Sequence, residues 1–342
     1  MYNTIYVIRT LFVCLILINE VAAQTLIELK SGTTATLRGL SAVNDRILWA
    51  SGTNGHVGRS ADGGETWTWM QIPGFEKVDF RDIEGFDEHT ALVMGIGSPG
   101  YLLRTTNKGK NWSVVYKNEH KEIFLDALYF WNDRSGMAIG DPIDGRFFML
   151  RTFNGGKDWR EIPYTNRPKA EPGEACFAAS GSNIAGISPQ EAVFVSGGSQ
   201  SRIFIRDSSY RLPLIQGSES TGANAIDVYR KNKRASSKKW IVVGGDFNRN
   251  RHDSANAVIS RDGGQTWHFP EKKPNGYRSS VTWIDQKRLI SCGISGVDIS
   301  KDEGEHWSLL TNTGFHICIK SKKGNTIYLA GANGRIARLD WR

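Results

Sequence analysis

The chain is poor in cysteine and holds none of the motifs through which cysteine usually does chemistry. Four cysteines occur in 342 residues, with no C-x-x-C, no H-E-x-x-H and no His/Cys cluster at metal-ligand spacing, so neither a metal site nor a cofactor is expected. Long hydrophobic runs are also missing. The apolar stretch at residues 11–18 is too short to span a bilayer. With Arg9 before it and Ala22 and Ala23 ahead of Gln24, it has the build of a secretory leader. Residues 1–23 are therefore expected to be a signal peptide cleaved after Ala23, giving a secreted or periplasmic protein without a membrane span. "LFVC" lacks the small residue that precedes a lipidated cysteine, which leaves Cys14 inside the leader. Cys176, Cys292 and Cys318 remain, an odd number in a compartment that permits disulfides, so at least one thiol should be free or paired between chains. A bridge between Cys292 and Cys318 could form, but nothing in their spacing requires it.

Acidic charge is in deficit. Lys and Arg number 43 against 35 Asp and Glu, a formal net charge of +8 that survives loss of the leader, which takes away Arg9 and Glu20 together. Acidic partners suit such a protein. Much of the excess sits in "RKNKRASSKK" at 230–239 and "RNRH" at 249–252. Neither run lies on an amphipathic helix or is interleaved with aromatics, so both read as solvated loops and nucleic acid is not expected as a partner.

What the sequence does have is a repeat. "SADGGETW" at Ser60, "TTNKGKNW" at Thr105, "TFNGGKDW" at Thr152, "SRDGGQTW" at Ser260 and "SKDEGEHW" at Ser300 share the pattern [S/T]-x-[D/N]-x-G-x-x-W. The Asp/Asn and Trp positions are Asp62 and Trp67, Asn107 and Trp112, Asn154 and Trp159, Asp262 and Trp267, and Asp302 and Trp307. Successive Asp/Asn intervals are 45, 47, 108 and 40 residues, so one copy is missing, and "IRDSSYRL" around Asp207 fills the gap as a decayed version. A period of this size built from short β segments is the signature of a propeller. Each unit accommodates four strands, and seven inner strands can be read: "TLRGLSAV", "DFRDIEGF", "LDALYFW", "CFAASGS", "GANAIDVY", "YRSSVTWI" and "FHICIKS". The last unit ends after three strands at "RIARLDWR", while "TLIELKSG" at 25–32 stands spare. The expectation is an all-β, seven-bladed β-propeller forming a single domain over 24–342, monomeric, its ring closed by the N-terminal strand.

The repeated turn falls between the third and fourth strands of each blade. There the Asp or Asn side chain can bond the N–H groups of its own turn, glycine permits positive φ, and tryptophan packs between blades. These residues resemble the Asp-box, found in sialidases, in sortilin-type receptors and in many propellers without enzymatic activity. The resemblance implies a fold, and implies that function lies on the opposite face.

Loops expected on that face carry Arg38, His56, Arg81, Asp82, Asp141, Glu174, Asp246, Tyr277, Arg278, Asp298, His316 and Arg335. The phrases "GDPIDGRFFMLRT", "PGEACFAASG", "GYRSSV" and "GFHICI", together with the "TTNKGKNW"-type boxes, resemble the photosystem II stability/assembly factor family and its exported relatives in non-photosynthetic bacteria. That resemblance implies a non-enzymatic assembly role in which an arginine-bearing face holds a client. Arg38 and Arg81 match arginines at inner-strand starts, whereas the acidic loops at Asp141, Glu174 and Asp246 depart from a purely basic face. The leading expectation is thus a binding or assembly protein offering Arg38, Arg81 and Arg278, with Asp298 and His316 beside them, to a protein or an acidic ligand.

The competing expectation is a sialidase-like glycosidase or glycan lyase. In it the same arginines grip an acidic sugar, and Glu174, Asp246, Tyr277 or Asp141 supply nucleophile and acid/base groups. The arginine phrase that opens the sialidase site is not recognisable near the N-terminus. A third reading, a dinucleotide-dependent redox enzyme, is suggested by "GIGSPG" at 95–100 and fails at once, because "YLLRTTNKG" continues as strand where a phosphate-binding helix is required.

Overall fold

The computed structural model describes residues 24–231 and 237–341. The expected leader lies outside these residues, as does part of the basic run at 230–239. Seven antiparallel sheets are arranged as the blades of a propeller. Blade 1 comprises Leu37–Ala42, Leu48–Gly52, His56–Ser60 and Thr68–Gln71, and blade 2 comprises Phe80–Gly85, Ala91–Gly95, Gly100–Thr105 and Ser113–Asn118. Blade 3 is built from Leu125–Phe130, Gly136–Ile143, Arg146–Thr152 and the short Arg160–Glu161. Blade 4 uses Ile184–Gly186, Ala192–Val195, Arg202–Ile205 and Ser208–Arg211, and blade 5 uses Thr221–Val228, Trp240–Asp246 and Ala257–Ser260. Ser280–Trp283, Leu289–Gly293, Gly296–Ser300 and Trp307–Thr311 make blade 6.

Blade 7 pairs Ile317–Lys320, Ile327–Ala330 and Ile336–Trp341, and its fourth strand is Gln24–Leu29, running antiparallel with Gln24 opposite Trp341 and Leu29 opposite Ile336. The N-terminal strand does close the ring.

Second strands such as Ala91–Gly95 and Leu289–Gly293 are buried at every position, because blades pack face to face and cover both surfaces of the sheet. That is why they read as unbroken apolar runs. Outer strands such as Ser208–Arg211 are exposed and polar. Each apolar cluster bridges two blades: Leu92 and Met94 of blade 2, for example, meet Leu125, Phe148 and Leu150 of blade 3, with Trp159 of the third box sealing the junction.

The boxes are self-satisfied turns. In the first, the Ser60 hydroxyl accepts from the Gly64 N–H at 2.8 Å and donates to Asp62 Oδ1 at 2.8 Å, and Asp62 Oδ1 accepts from the Thr66 N–H at 3.0 Å. Gly64 has φ of +90°, a conformation that glycine adopts freely. The decayed copy at Asp207 is instead a two-residue turn, Arg206 and Asp207, linking Arg202–Ile205 directly to Ser208–Arg211. Cys176, Cys292 and Cys318 are all buried and unpaired.

One strand expectation fails. "CFAASGS" is not the inner strand of blade 4; that role falls to Ile184–Gly186. Residues 176–182 instead cross the central channel. Ala179 O accepts from Arg38 Nη1 of blade 1 at 3.1 Å, and Ala178 O from Arg81 Nη1 of blade 2 at 3.4 Å. The Ser180 hydroxyl donates to Ser279 O beside blade 6 at 2.7 Å, and Ser182 O accepts from the Ile226 N–H of blade 5 at 2.8 Å. Small residues let this segment run through a space that strands would line. It plugs the channel, with residues 175–179 facing one mouth and 180–186 the other.

Candidate functional site

The plug turns the mouth opposite the Asp-boxes into a blind cup of about 410 Å³. Its polar lining is set by irregularities at inner-strand starts. The strand register shifts between Leu37 and Gly39, between Phe80 and Asp82, between Leu125 and Ala127 and between Ala223 and Ala225. The residue bypassed in each case is Arg38, Arg81, Asp126 or Asn224. A β-bulge re-aims the side chain it contains, and here four blades use it to turn one polar residue toward the axis.

Arg38 and Arg81 act on each other within the cup, and the charge of Asp79 on both and of Asp126 on Arg81 offsets them only in part. Burial, and then the Arg81 charge, push the Arg38 guanidinium down to about 10, and Arg81 is lowered by burial as well. Arg81 Nε has no hydrogen-bond partner. His316, 5% exposed, also presents an unpartnered Nε2. Burial and then the charges of Arg38, Arg81 and Arg335 press the His316 imidazole down to about 3, so the ring is neutral at physiological pH. The buried Arg81 N–H left unpaired beside a second cation is costly, and an anion would relieve it.

Asp141 lines another part of the cup, where its Oδ1 accepts from the Cys176 N–H at 2.8 Å and burial raises it to about 6. Beneath it Asp126 is fully buried, and neither of its oxygens has a hydrogen bond of ordinary length. Burial, and then Asp141, hold Asp126 well above the usual carboxylate range, opposed by the Arg81 charge and more weakly by the backbone N–H groups of Ala178 and Asp141. Phe124, Phe177, Phe247 and Ile294 supply apolar walls, with Phe177 and Phe247 in an edge-to-face contact at 5.7 Å.

Several residues expected on this face are committed elsewhere. Arg278 is 0% exposed and paired with Asp298, donating from Nε at 2.7 Å, while its Nη1 bonds Tyr277 O and Ser295 Oγ. Asp298 also accepts from the N–H and side chain of Asn275, so neither member of this pair reaches the cup. Glu174 is buried against Arg202 and Ser196 and accepts from the Glu171 N–H. Asp246 caps the turn Phe247–Arg249, taking the Asn248 N–H, Arg249 Nε and the Ser220 hydroxyl.

Tyr277 does line the cup. However, its hydroxyl donates to Asn224 Oδ1 at 2.7 Å, and burial pushes its ionisation above the ordinary phenol range, the opposite of an activated nucleophile. Asp82 does not pair with Arg81: its carboxylate reaches the Leu128 N–H of blade 3 at 2.7 Å. At "GIGSPG" the strand Gly100–Thr105 follows directly, with no helix between.

Asp126, Asn224 and the three phenylalanines escape a reading of the sequence. The signal for Asp126 was its place two residues into an inner strand, equivalent to Arg38 and Arg81. Among the described residues, no His, Cys, Asp and Glu side chains cluster as a metal would require, and no helix is long and apolar enough to cross a membrane.

Comparison with known proteins reaches the same architecture. The BNR/Asp-box repeat family model matches residues 258–269. The comparison with curated proteins gives no match. Among solved structures, YCF48 bound to D1 peptide superposes with a TM-score of 0.63 at 15% identity, covering 93% of this chain and 95% of that one. YCF48 from Cyanidioschyzon merolae gives 0.64 at 16% identity over 92% and 98% of the two chains. The WD40 β-propeller domain of Doa1 gives 0.62 at 11% identity over 93% and 97%. At these identities the likeness is one of fold, and it makes the protein an Asp-box, seven-bladed β-propeller similar in architecture to a photosystem II assembly factor.

Proposed function

We propose that the protein is a binding factor of the assembly-factor kind, which holds a protein or other acidic partner by a carboxylate seated in the cup. The observation that carries this reading is the convergence of Arg38, Arg81 and a neutral His316 in the lining of the blind cup, with Arg81 Nε and His316 Nε2 both unpartnered. A guanidinium donates in a fork that matches a carboxylate, and two of them aimed into a low-dielectric space favour an anion strongly. The solved structure of YCF48 bound to D1 peptide shows that a propeller of this architecture can hold a peptide, which supports the reading by analogy.

Bond chemistry has less support. Of the acid, base and nucleophile candidates, Glu174 and Asp246 are spent on ion pairs and turn capping and Tyr277 is held in its neutral form, which leaves Asp141 in the cup without a second catalytic group beside it from that set. Export is supported only by the leader-like residues 1–23, and an N-terminal sequence starting at Gln24 in the exported form would check it.

Binding of a short acidic peptide to the full chain, followed by calorimetry, tests the proposal. Arg38→Ala and Arg81→Ala should each weaken it by about 10- to 100-fold, the worth of a charge-assisted hydrogen bond. Affinity that does not change in either variant, with melting temperature retained, would overturn the reading.

A further inference from the structure

The cup holds charge of both signs, and the two are not spent on each other. Its cations are anchored on the plug at Ala178 O and Ala179 O, its accessible carboxylate at the Cys176 N–H. Three residues of chain separate the extremes of these anchor points, so they lie within about 10 Å. Burial and the Cys176 N–H govern Asp141, and no guanidinium is among the groups acting on it. Arg38 in turn answers to Arg81, Tyr277 and Asp79 rather than to Asp141. Asp126 lies behind, felt by both Arg81 and Asp141, and is too deeply buried to meet a ligand itself.

Resting on the carboxylate site above, we propose that the cup binds a small zwitterion of the amino acid or dipeptide class. Its carboxylate lies between Arg38 and Arg81, its ammonium rests on Asp141, and an apolar side chain packs on the phenylalanine walls. A simple anion would fill the cationic end and leave Asp141 with only the Cys176 N–H against its charge in a low-dielectric cavity, which a buried carboxylate tolerates poorly. A ligand with both charges satisfies the two ends in one step. The volume of about 410 Å³ suits a molecule of this size. The plug means that such a ligand must enter and leave by the same mouth, which exposes Phe247 (36%) and Ile294 (41%) to it.

The probe is the dipeptide alanyl-phenylalanine, compared with its N-acetyl and C-terminal amide forms by calorimetry on the full chain. The parent should bind, and each capped form should bind at least about ten-fold more weakly, the loss of one charge-assisted contact. Asp141→Asn should erase the preference for the parent over the N-acetyl form. Because the comparison among ligands is made on the unaltered protein, the test stands even if that variant does not fold. An N-acetyl form that binds as well as the parent overturns the zwitterion and leaves the carboxylate site standing. An amide that binds as well as the parent, or a parent that shows no heat at millimolar concentration, overturns the zwitterion alone, since the acidic peptide tests the carboxylate site independently.

Discussion

His316 shows how a single residue reports on the cup. Its imidazole is held near 3 by burial and by the arginines, against about 6.5 in an unfolded chain. A histidine whose folded value is depressed contributes stability that is present above the unfolded value and lost as pH falls from about 6.5 towards 3, because the unfolded state takes up the proton first. Relative to His316→Gln, which cannot titrate, the protein should therefore lose about 1.4 kcal/mol per pH unit at the steepest part of that window. Urea melts of both forms at stepped pH would show it, and parallel curves from neutral pH down to the acid side would contradict the neutral, buried ring. His316, Arg38 and Arg81 were legible in the sequence because they begin inner strands. Arg278 looks equivalent, yet its acid partner lies 20 residues away on the third strand of the same blade, a pairing that only three dimensions reveal. Asp126 holds the same position in its strand as Arg38 and Arg81, yet an acid inside an apolar strand looks like a surface residue until the bulge turns it inward.

At the scale of an element, the strands were legible and the plug was not. Alternation and apolar runs identify a segment that repeats the environment of its neighbours, and six of the seven inner strands lay where such patterns put them. "CFAASGS" has strand length and strand composition at its start. What makes it a plug is the set of hydrogen bonds it exchanges with blades 1, 2, 5 and 6, and none of those leaves a local pattern. The glycine within it is the closest thing to a signal. Gly181 sits at φ of +66°, and a Cβ there would collide with the Asp82 carboxylate. Gly181→Ala should thus cost about 1–3 kcal/mol from the backbone conformation alone, with the steric clash added. It should also weaken ligand binding in the cup, because Ala178 O and Ala179 O hold Arg81 and Arg38 in place. A variant with unaltered melting temperature and affinity would show that the plug does not position the arginines.

The whole molecule depends on a closure that joins its two ends. Blades 1, 2, 3, 4 and 6 are built from local stretches of chain and the blade 5 sheet adds only the short pairs Glu174–Ala175 and Gly197–Gly198, whereas blade 7 borrows Gln24–Leu29 from the other end of the chain for its outer strand. This was readable because a spare strand at one end and a missing one at the other have a single solution in a ring. Its energetic consequence follows from register. Six residues of Gln24–Leu29 pair with Ile336–Trp341, and Leu26 and Leu29 pack against the apolar clusters on either side of blade 7. Removing residues 24–31 should take away about 1–2 kcal/mol for each of these half-buried leucines, in addition to the ladder itself. It would leave Ile336–Trp341 as an unprotected edge, and such edges recruit other chains. A truncated chain should melt several degrees lower and self-associate on size-exclusion chromatography, and a free peptide of residues 24–31 should restore the intact behaviour. Because the cup is assembled from side chains on blades 1, 2, 3, 5, 6 and 7, the truncated chain should also lose affinity for the acidic peptide, although no cup residue has been removed. Stability and binding lost together, and recovered together with the peptide, would establish that the site is a property of the closed ring. Binding retained by an open, associated chain would place it instead in the plug and its immediate neighbours.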